Sequence, residues 1–308
     1  MRPRAVGLLL GFLLDRILGD PRRHHPVAGF GTVAMRAEQA WYADDRARGV
    51  LHAAALVGGA VALGAAAERL APGRIGTALV TAASTWAVLG GRSLEREALA
   101  VHAHLDAGDL PAARQRLTHL VGRDTAELDA SEVARAVVES VAENTSDAVV
   151  APLVWGALGG VPGLLGYRAA NTLDAMVGHH NDRYERFGWA SARLDDLLNL
   201  PGSRLSGLLT LAAAPSRARQ AWQAWRRDAA GHPSPNAGVV EATFAGALDI
   251  RLGGTNRYYG DRIEHRAVMG DGRAASPADI VSATTLARRV GIGAALVAAG
   301  YAVVVQRP

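Results

Sequence analysis

Three long stretches without a formal charge limit most strongly what this chain can fold into. Residues 50–67, 75–91 and 290–306 run for 18, 17 and 17 positions without Lys, Arg, Asp or Glu. Each approaches the roughly 20 apolar residues that cross a bilayer core as a helix. A buried, Ala-rich soluble helix bundle would contain similar runs, but three in one chain favour an integral membrane protein.

Two further apolar segments differ from plain membrane spans. Residues 5–18 follow two Arg residues and contain charges of their own, so we predict a short first helix rather than a cleaved signal peptide. Residues 148–167 are uncharged for 20 positions, but Gly160 and Pro162 lie inside them. Because these residues interrupt helical hydrogen bonding, the segment is predicted to be a broken or re-entrant helix.

Composition excludes several classes of chemistry. All 33 basic residues are Arg, and the chain has neither Lys nor Cys. A lysine phosphate loop, a Schiff base, disulfides, Cys-ligated zinc and iron–sulfur clusters are therefore excluded. The Arg residues are scattered and aromatics make up 5% of the chain, which argues against nucleic-acid binding.

Arginine distribution predicts how the chain is oriented. If 148–167 turns back and 205–216 does not cross, 27 of the 33 Arg residues lie on one side and five on the other. The positive-inside rule then predicts a multi-pass protein of the cell (inner) membrane whose active face is cytoplasmic.

Polar regions between the apolar runs indicate the fold class. Residues 92–147, 168–204 and 215–289 contain amphipathic helical patterns, and alternation typical of strands is nearly absent. We therefore predict an all-α, polytopic membrane protein with cytoplasmic-side amphipathic helices, forming a single integral membrane domain over residues 1–308.

The first candidate site is an acidic stripe. Glu139, Glu143 and Asp147 are spaced by four, so a continuous helix would place them on one face. Like charges at this spacing repel, and next to a membrane they need a compensating cation or cationic ligand. The alternative is a solvated face on which Ser146 and Asp147 cap the next helix.

The second candidate site follows the broken segment. Asn171 and Asp174 lie one helical turn apart, as do Asp196 and Asn199, with Asp195 beside them. Carboxylate and amide oxygens suit Mg²⁺, which is commonly held by one or two carboxylates plus substrate phosphate. We take Asp174 and Asp196 as the candidate metal ligands.

Other polar residues are weaker candidates. Arg183 could bind a phosphate or carboxylate, although such an Arg commonly pairs with an acidic residue. The loop 232–238 places Asn236 beside two backbone amides as an anion or amide site, or is an ordinary turn. Adjacent His179 and His180 would point about 100° apart on a helix, which disfavours zinc.

Four runs resemble the CobD/CbiB family of cobalamin-biosynthesis membrane proteins, the adenosylcobinamide-phosphate synthases. They are LLDRILGDPRRHHPVAGFG, SVAENTSDAVVAPLVWGALGGVPGLLGYRAANTLDAMVGHHNDRYERFGWASARLDDLLNLP, HPSPNAGVVEATFAGALDIRLGGTNRYYG and GDGRAASPADI. The resemblance covers about residues 9–290, and its central run is highly specific. Val239 and Val240 depart from the aromatic and proline expected in relatives.

The resemblance implies an ATP-consuming ligase, although the sequence contains no recognisable nucleotide motif. The family joins aminopropanol, or its phosphate, to a propionate of adenosylcobyric acid through an amide bond. The implied partners are these substrates, the lipid bilayer and other corrinoid-pathway proteins. The candidate residues for catalysis or Mg²⁺ binding are Glu139, Glu143, Asp147, Asp174, Asp195 and Asp196. The candidate residues for substrate binding are Asn144, Ser146, Asn171, Asn181, Arg183 and Asn236.

Two other functions compete with the ligase. The Asn171, Asp174, Asp195 and Asp196 pattern loosely resembles acidic motifs of membrane prenyltransferases, which would indicate an Mg²⁺-dependent transferase acting on a lipid diphosphate. A non-catalytic scaffold that binds a corrinoid is the third hypothesis.

Overall fold

A computed structural model describes residues 2–21, 25–179, 181–258 and 262–305, with side chains except those of 256–258 and 262–265. His180 and the last residue of the 290–306 run lie outside the described residues. The described chain is mostly helical, as predicted. Its helices are α1 Pro3–Leu18, α2 Pro26–Trp41, α3 Arg46–Leu70, α4 Gly73–Val88, α5 Gly91–Asp106, α6 Leu110–Leu117, α7 Ala130–Thr145, α8 Ala151–Val177, α9 Trp189–Ala213, α10 Ala218–Asp228, α11 Ala237–Leu248 and α12 Pro277–Val305.

A small sheet departs from the all-α prediction. Strand β1, Ile250–Tyr258, pairs antiparallel with β2, Arg262–Met269, and parallel with β3, Arg273–Ala274. The pairing is irregular between Leu252 and Gly254, and Gly253 has φ of 79°. A Cβ on Gly253 would lie 2.1 Å from the Ala267 carbonyl oxygen, so the bulge requires glycine. These glycines interrupt the alternation by which the strand could have been predicted.

Within the part of the chain that the structure describes, three helical segments are long and apolar enough to cross a membrane. They are Arg46–Leu70, Ala130–Val177 and Pro277–Val305. The predicted runs 50–67 and 290–306 fall in the first and third, up to residue 305. Helices α1 and α4 have 16 residues each, so each is about 24 Å long, shorter than the ~30 Å bilayer core. That α1 and α4 cross the membrane stays a prediction.

Helix α8 is interrupted inside the segment 148–167. Gly160 has φ of 64° and ψ of −146°, and Pro162 follows within the helix. The interruption separates the Val161 amide from the Ala157 carbonyl, its partner in a regular helix. Charged side chains form hydrogen bonds with both of these backbone groups. Glu68 Oε1 accepts from the Val161 amide at 2.9 Å, and Arg4 Nη1 donates to the Ala157 carbonyl oxygen at 3.4 Å. The break is thus satisfied within the protein, as burial in an apolar region requires.

The chain divides into two compact units. Unit 1 comprises residues 1–90, 147–202 and 294–308, and unit 2 comprises 91–146 and 203–293. In unit 1, α1 packs closely on α4, because a Cβ on Gly7 or Gly11 would lie only about 2.5 Å from Thr81 or Thr85. In unit 2, α11 packs against α7, α10 and β1. The single membrane domain stays a prediction.

Candidate functional site

Glu139 is the centre of a buried charge network in unit 2. Its side chain is 6% exposed, and Arg123 Nη2 donates to its Oε2 at 2.7 Å. Its other oxygen accepts from Arg135 Nη1 at 3.1 Å and from the Gly253 amide at 2.8 Å. Both carboxylate oxygens are therefore engaged, so Glu139 is better suited to fix α7 against the β1 bulge than to accept a proton.

Glu143, one turn further along α7, has different surroundings. Its carboxylate, the carboxylate of Glu241 and the imidazole of His232 form a group whose ligand atoms, one per residue, lie within 4.8 Å of one another. Glu241 is completely buried, and neither of its oxygens has a hydrogen-bond partner among the described residues. Its closest described ion-pair contact is His232 Nε2, 3.5 Å from Oε1. Burial, and then the charges of Glu143 and Glu139, raise the pKa of Glu241 well above its usual range.

A polar cavity of about 160 Å³ opens beside this cluster. It is lined by Arg123, Glu139, Glu143 and Arg266, together with the 120–122 segment and two small residues of α7. Drug-sized ligands occupy pockets of roughly 300–1,000 Å³, so this cavity suits a smaller molecule. Two guanidiniums and two carboxylates in its wall suit a molecule that carries both charges.

Asp195 is the centre of a second network, in unit 1. It is 8% exposed on α9, and its two oxygens accept from Asn171 Nδ2 at 3.2 Å and Asn199 Nδ2 at 2.9 Å. The network extends further through Arg168, which donates to Asn171, and Tyr167, which donates to Asn199 at 2.6 Å. Burial, and then the neighbouring Asp174 carboxylate, raise the pKa of Asp195 to about 7.

Asn199, predicted to face the same way as Asp196, has its described carboxylate hydrogen bond with Asp195. Asn199 bonds Asp195, four residues earlier, whereas Asp196 is 32% exposed and its carboxylate lies 3.7 Å from Arg193. One helical turn contains 3.6 residues, so spacings of three and four both place residues on one face. The sequence alone could not decide between them.

The acidic stripe crosses a change of helix type. Glu139 and Glu143 belong to α7, whereas Asp147 lies in a π-helical turn, Ser146–Val150. That the three carboxylates share one face stays a prediction. The backbone carbonyl of Asp147 accepts from Tyr167 at 3.1 Å.

Two predicted substrate-binding residues lie next to this turn. Asn144 Nδ2 donates to the Ser140 carbonyl at 2.9 Å, within its own helix. Ser146 is 1% exposed, and its hydroxyl has no hydrogen-bond partner among the described residues. The capping role considered for Ser146 is not formed there, since α7 continues directly into the π turn.

Asn181 and Arg183 organise the turn between α8 and α9. Asn181 Oδ1 accepts from the amides of Arg183 and Tyr184 at 3.1 and 3.0 Å. The Arg183 guanidinium donates to Glu38 at 2.9 Å and stacks on the Tyr42 ring at 4.2 Å. Arg183 thus has the acidic partner that the sequence suggested as its alternative to a phosphate.

Asn236 is buried in unit 2 with two donors on its oxygen. Ser203 Oγ donates to Asn236 Oδ1 at 2.9 Å and Arg204 Nη1 at 2.7 Å. Within the same loop, the Ala237 amide donates to Ser234 Oγ and the Gly238 amide to the Ser234 carbonyl. The loop is therefore an internally bonded turn that orients His232 and Asn236.

The sequence interpretation missed several residues of these networks. Arg123, Arg266, His232 and Glu241 in unit 2, and Tyr167 and Arg168 in unit 1, were not selected. Glu241 had a usable signal, because it is the one charge in the apolar run 237–248. A lone carboxylate in an apolar helix needs a partner or a function.

An apolar groove of about 390 Å³ lies in unit 1 between α2, α3, α4 and α8. Phe30, Val33, Leu56 and Leu63 contribute to its wall, and Arg168 is the charged residue among those that line it. Arg168 also donates to Asn171, so the groove reaches the Asp195 network.

Comparisons with known proteins agree on one family. Residues 8–287 match the family model described as CobD/Cbib protein. The chain is 53% identical over 298 residues to the cobalamin biosynthesis protein CobD of Mycobacterium tuberculosis, covering 96% of this chain and 95% of the relative. It is 44% identical over 302 residues to the protein of the same name from Rhodobacter capsulatus, covering 95% and 96%. No solved structure matches it significantly.

Proposed function

The chain belongs to the CobD/CbiB family, and from that premise we propose that it is an amide-forming ligase of cobalamin biosynthesis. It joins aminopropanol phosphate, or aminopropanol itself, to a propionate of adenosylcobyric acid. The product is adenosylcobinamide phosphate or adenosylcobinamide. Its curated relatives are named for cobalamin biosynthesis, which supports the pathway.

The observation that carries the proposal is the small charged cavity of unit 2. Aminopropanol phosphate is a short molecule with an ammonium at one end and a phosphate at the other. Arg266 and Arg123 would bind the phosphate through charge-assisted hydrogen bonds, and Glu143 would face the amine. A corrin is far larger than 160 Å³, so the cavity is assigned to the amine substrate alone.

Amide formation requires the amine to lose a proton before or as it attacks. The nitrogen forms a bond to a carboxyl carbon that a phosphoryl group from ATP has activated, the carbon–oxygen bond breaks with phosphate as the leaving group, and the nitrogen's proton goes to a base. Both oxygens of Glu139 already accept hydrogen bonds, so Glu143 is the carboxylate of the cavity assigned to receive that proton. The guanidiniums would also stabilise negative charge that develops on the reacting carboxyl group.

The proposed Mg²⁺ fits the Asp195 network of unit 1 by the chemistry of its donors. Asp174 and Asp195 are close enough for the charge of one to raise the pKa of the other, and carboxylate pairs of this kind suit a hard cation. Asp196, the ligand proposed first, is more exposed and lies near Arg193. Mg²⁺ bound there would neutralise the carboxylates and hold phosphate oxygens. ATP is the proposed co-substrate, and no residue is assigned to it.

A second candidate function has one supporting observation. The apolar groove of unit 1 reaches Arg168 and the acidic network, an arrangement suited to a lipid diphosphate. An Mg²⁺-dependent transferase would require polyprenyl diphosphate, whereas the ligase would act without it.

A genetic test separates the ligase from its alternatives. We expect the chain to restore growth in a bacterium that lacks its own family gene, depends on cobalamin and is fed adenosylcobyric acid. The same bacterium fed adenosylcobinamide should grow without the chain, because the amide bond is already present. Failure to grow on adenosylcobyric acid, with the protein present in the membrane, would contradict the ligase hypothesis. The transferase and the corrinoid-binding scaffold would then remain as hypotheses.

A further inference from the structure

We propose that Glu143, His232 and Glu241 bind a divalent first-row transition metal, with Zn²⁺ as the best fit. This site lies within unit 2 and is separate from the Asp195 network to which Mg²⁺ is assigned. It shares Glu143 with the proposed amine cavity, so one oxygen of Glu143 would bind the metal and the other would remain for the amine, but its test does not depend on the proposed reaction.

Convergence of the three donors is the first observation. Glu143 comes from α7, Glu241 from α11 and His232 from the loop before α11, and one ligand atom of each lies within 4.8 Å of the others. His232 Nε2 and Glu241 Oε1 are 3.5 Å apart. In a tetrahedral zinc site with bonds near 2.05 Å, neighbouring ligand atoms are about 3.3 Å apart. The His232–Glu241 separation requires only a small adjustment, whereas any pair near the 4.8 Å limit must close further when the ion binds.

The unsatisfied carboxylate of Glu241 is the second, independent observation. Its side chain is 0% exposed, and neither oxygen accepts a hydrogen bond from any described residue. A buried carboxylate without a donor is costly, so a ligand that supplies positive charge is expected at this point. Arg123 and Arg135 donate to Glu139, and the positive charge of Arg266 acts on Glu241 without a hydrogen bond to either of its oxygens.

The orientation of His232 suits metal binding. The Ser234 amide donates to His232 Nδ1 at 3.0 Å, and the Ser234 carbonyl oxygen lies 3.3 Å from the same nitrogen. Metal binding at Nε2, the nitrogen nearest Glu241, requires the tautomer that carries its proton on Nδ1, which exchanges the amide hydrogen bond for one to the carbonyl. Metal-binding histidines commonly have their second nitrogen fixed by a backbone carbonyl in this way. Arg266 Nη1 is 3.3 Å from Nε2, and a metal would replace that contact.

The donor set favours a transition metal over Mg²⁺. One imidazole and two carboxylates suit Zn²⁺, Fe²⁺ or Mn²⁺, whereas Mg²⁺ prefers oxygen ligands in octahedral geometry. Three protein ligands leave one position open for water or substrate, as in catalytic zinc sites. The competing occupant is a proton shared by Glu143 and Glu241, which would join the two carboxylates without His232.

The test is metal binding by the full-length, untagged protein in detergent, without any assay of the reaction. After treatment with a chelator, the protein is titrated with Zn²⁺ against a chromophoric chelator, and with Co²⁺ followed by visible absorption. We expect one saturable Zn²⁺ site per chain and a tetrahedral Co²⁺ spectrum. His232→Asn and Glu241→Gln should each weaken Zn²⁺ binding by roughly 100-fold or more.

His119→Asn is the matched control, because His119 also contacts a glutamate, Glu97 at 3.2 Å, but is 52% exposed. It should leave Zn²⁺ binding unchanged. Circular dichroism melting in the same detergent verifies that each variant is folded. Of His232→Asn and Glu241→Gln, the isosteric Glu241→Gln change is expected to disturb folding less. An absence of saturable binding in the wild type, or full binding in the folded His232→Asn protein, would overturn the proposal.

Discussion

Replacing Arg266 with methionine is expected to lower kcat/KM for aminopropanol phosphate by about 10- to 100-fold, mainly through a higher KM. The guanidinium lines the small cavity of unit 2, where we place the phosphate of the amine substrate. A hydrogen bond to a charged group contributes about 1.5–3 kcal/mol, and each 1.4 kcal/mol corresponds to a tenfold change in affinity. Steady-state kinetics with saturating corrinoid would measure the change.

Aminopropanol without its phosphate is the internal control for this variant. Its KM should change little, because it carries no group for Arg266 to bind. Arg116→Met, in the same unit but paired with Glu97 near the surface, should leave both amines unaffected. Equal losses for the two amines in Arg266→Met would contradict the placement of the phosphate.

Replacing Arg123 with methionine should destabilise the protein by about 3 kcal/mol, the largest stability effect we expect. Arg123 and Glu139 are joined at 2.7 Å, and each side chain is 6% exposed. Methionine removes the donor from Glu139 Oε2 but retains an apolar side chain. Removing one partner of a buried ion pair typically costs about 3–5 kcal/mol, and Arg135 and Gly253 still hold the other oxygen.

The Arg116–Glu97 ion pair is the control, because it has the same nitrogen–oxygen distance as the Arg123–Glu139 pair but is more exposed. Its nitrogen–oxygen distance is also 2.7 Å, but its side chains are 35% and 27% exposed. Arg116→Met should therefore cost less than about 1 kcal/mol. Denaturant unfolding in one detergent would compare the two variants, and similar losses of stability would refute the assignment of Glu139 to a buried structural network.

Local patterns were sufficient to predict the helical fold and one of its irregularities. Long uncharged runs indicated the apolar helices, and Gly160 with Pro162 marked the position at which α8 is interrupted. The strands could not be predicted in the same way, because β1 contains two consecutive glycines at its bulge and its pairing depends on residues later in the chain.

Local sequence spacing predicted only some residues of each candidate site. Glu139 and Glu143 were found from their spacing on α7, but Glu241 follows almost a hundred positions later and meets them only through the packing of α11. In unit 1 the spacing identified Asn171 with Asp174 and Asp196 with Asn199, and Asp195 was selected only as the neighbour of Asp196. The rotation of α9, which buries Asp195 and exposes Asp196, is set by packing and by the α8–α9 turn rather than by local sequence.

The measurement that tests the central claim most directly follows the amine nitrogen into the corrinoid. Purified protein would be incubated with adenosylcobyric acid, ¹⁵N-labelled aminopropanol phosphate, ATP and Mg²⁺, and the corrinoids analysed by mass spectrometry. We predict adenosylcobinamide phosphate that contains the heavy nitrogen and whose yield falls sharply in Arg266→Met. Recovery of unchanged adenosylcobyric acid from folded protein that binds the corrinoid would contradict the account and identify a binding protein instead of a ligase.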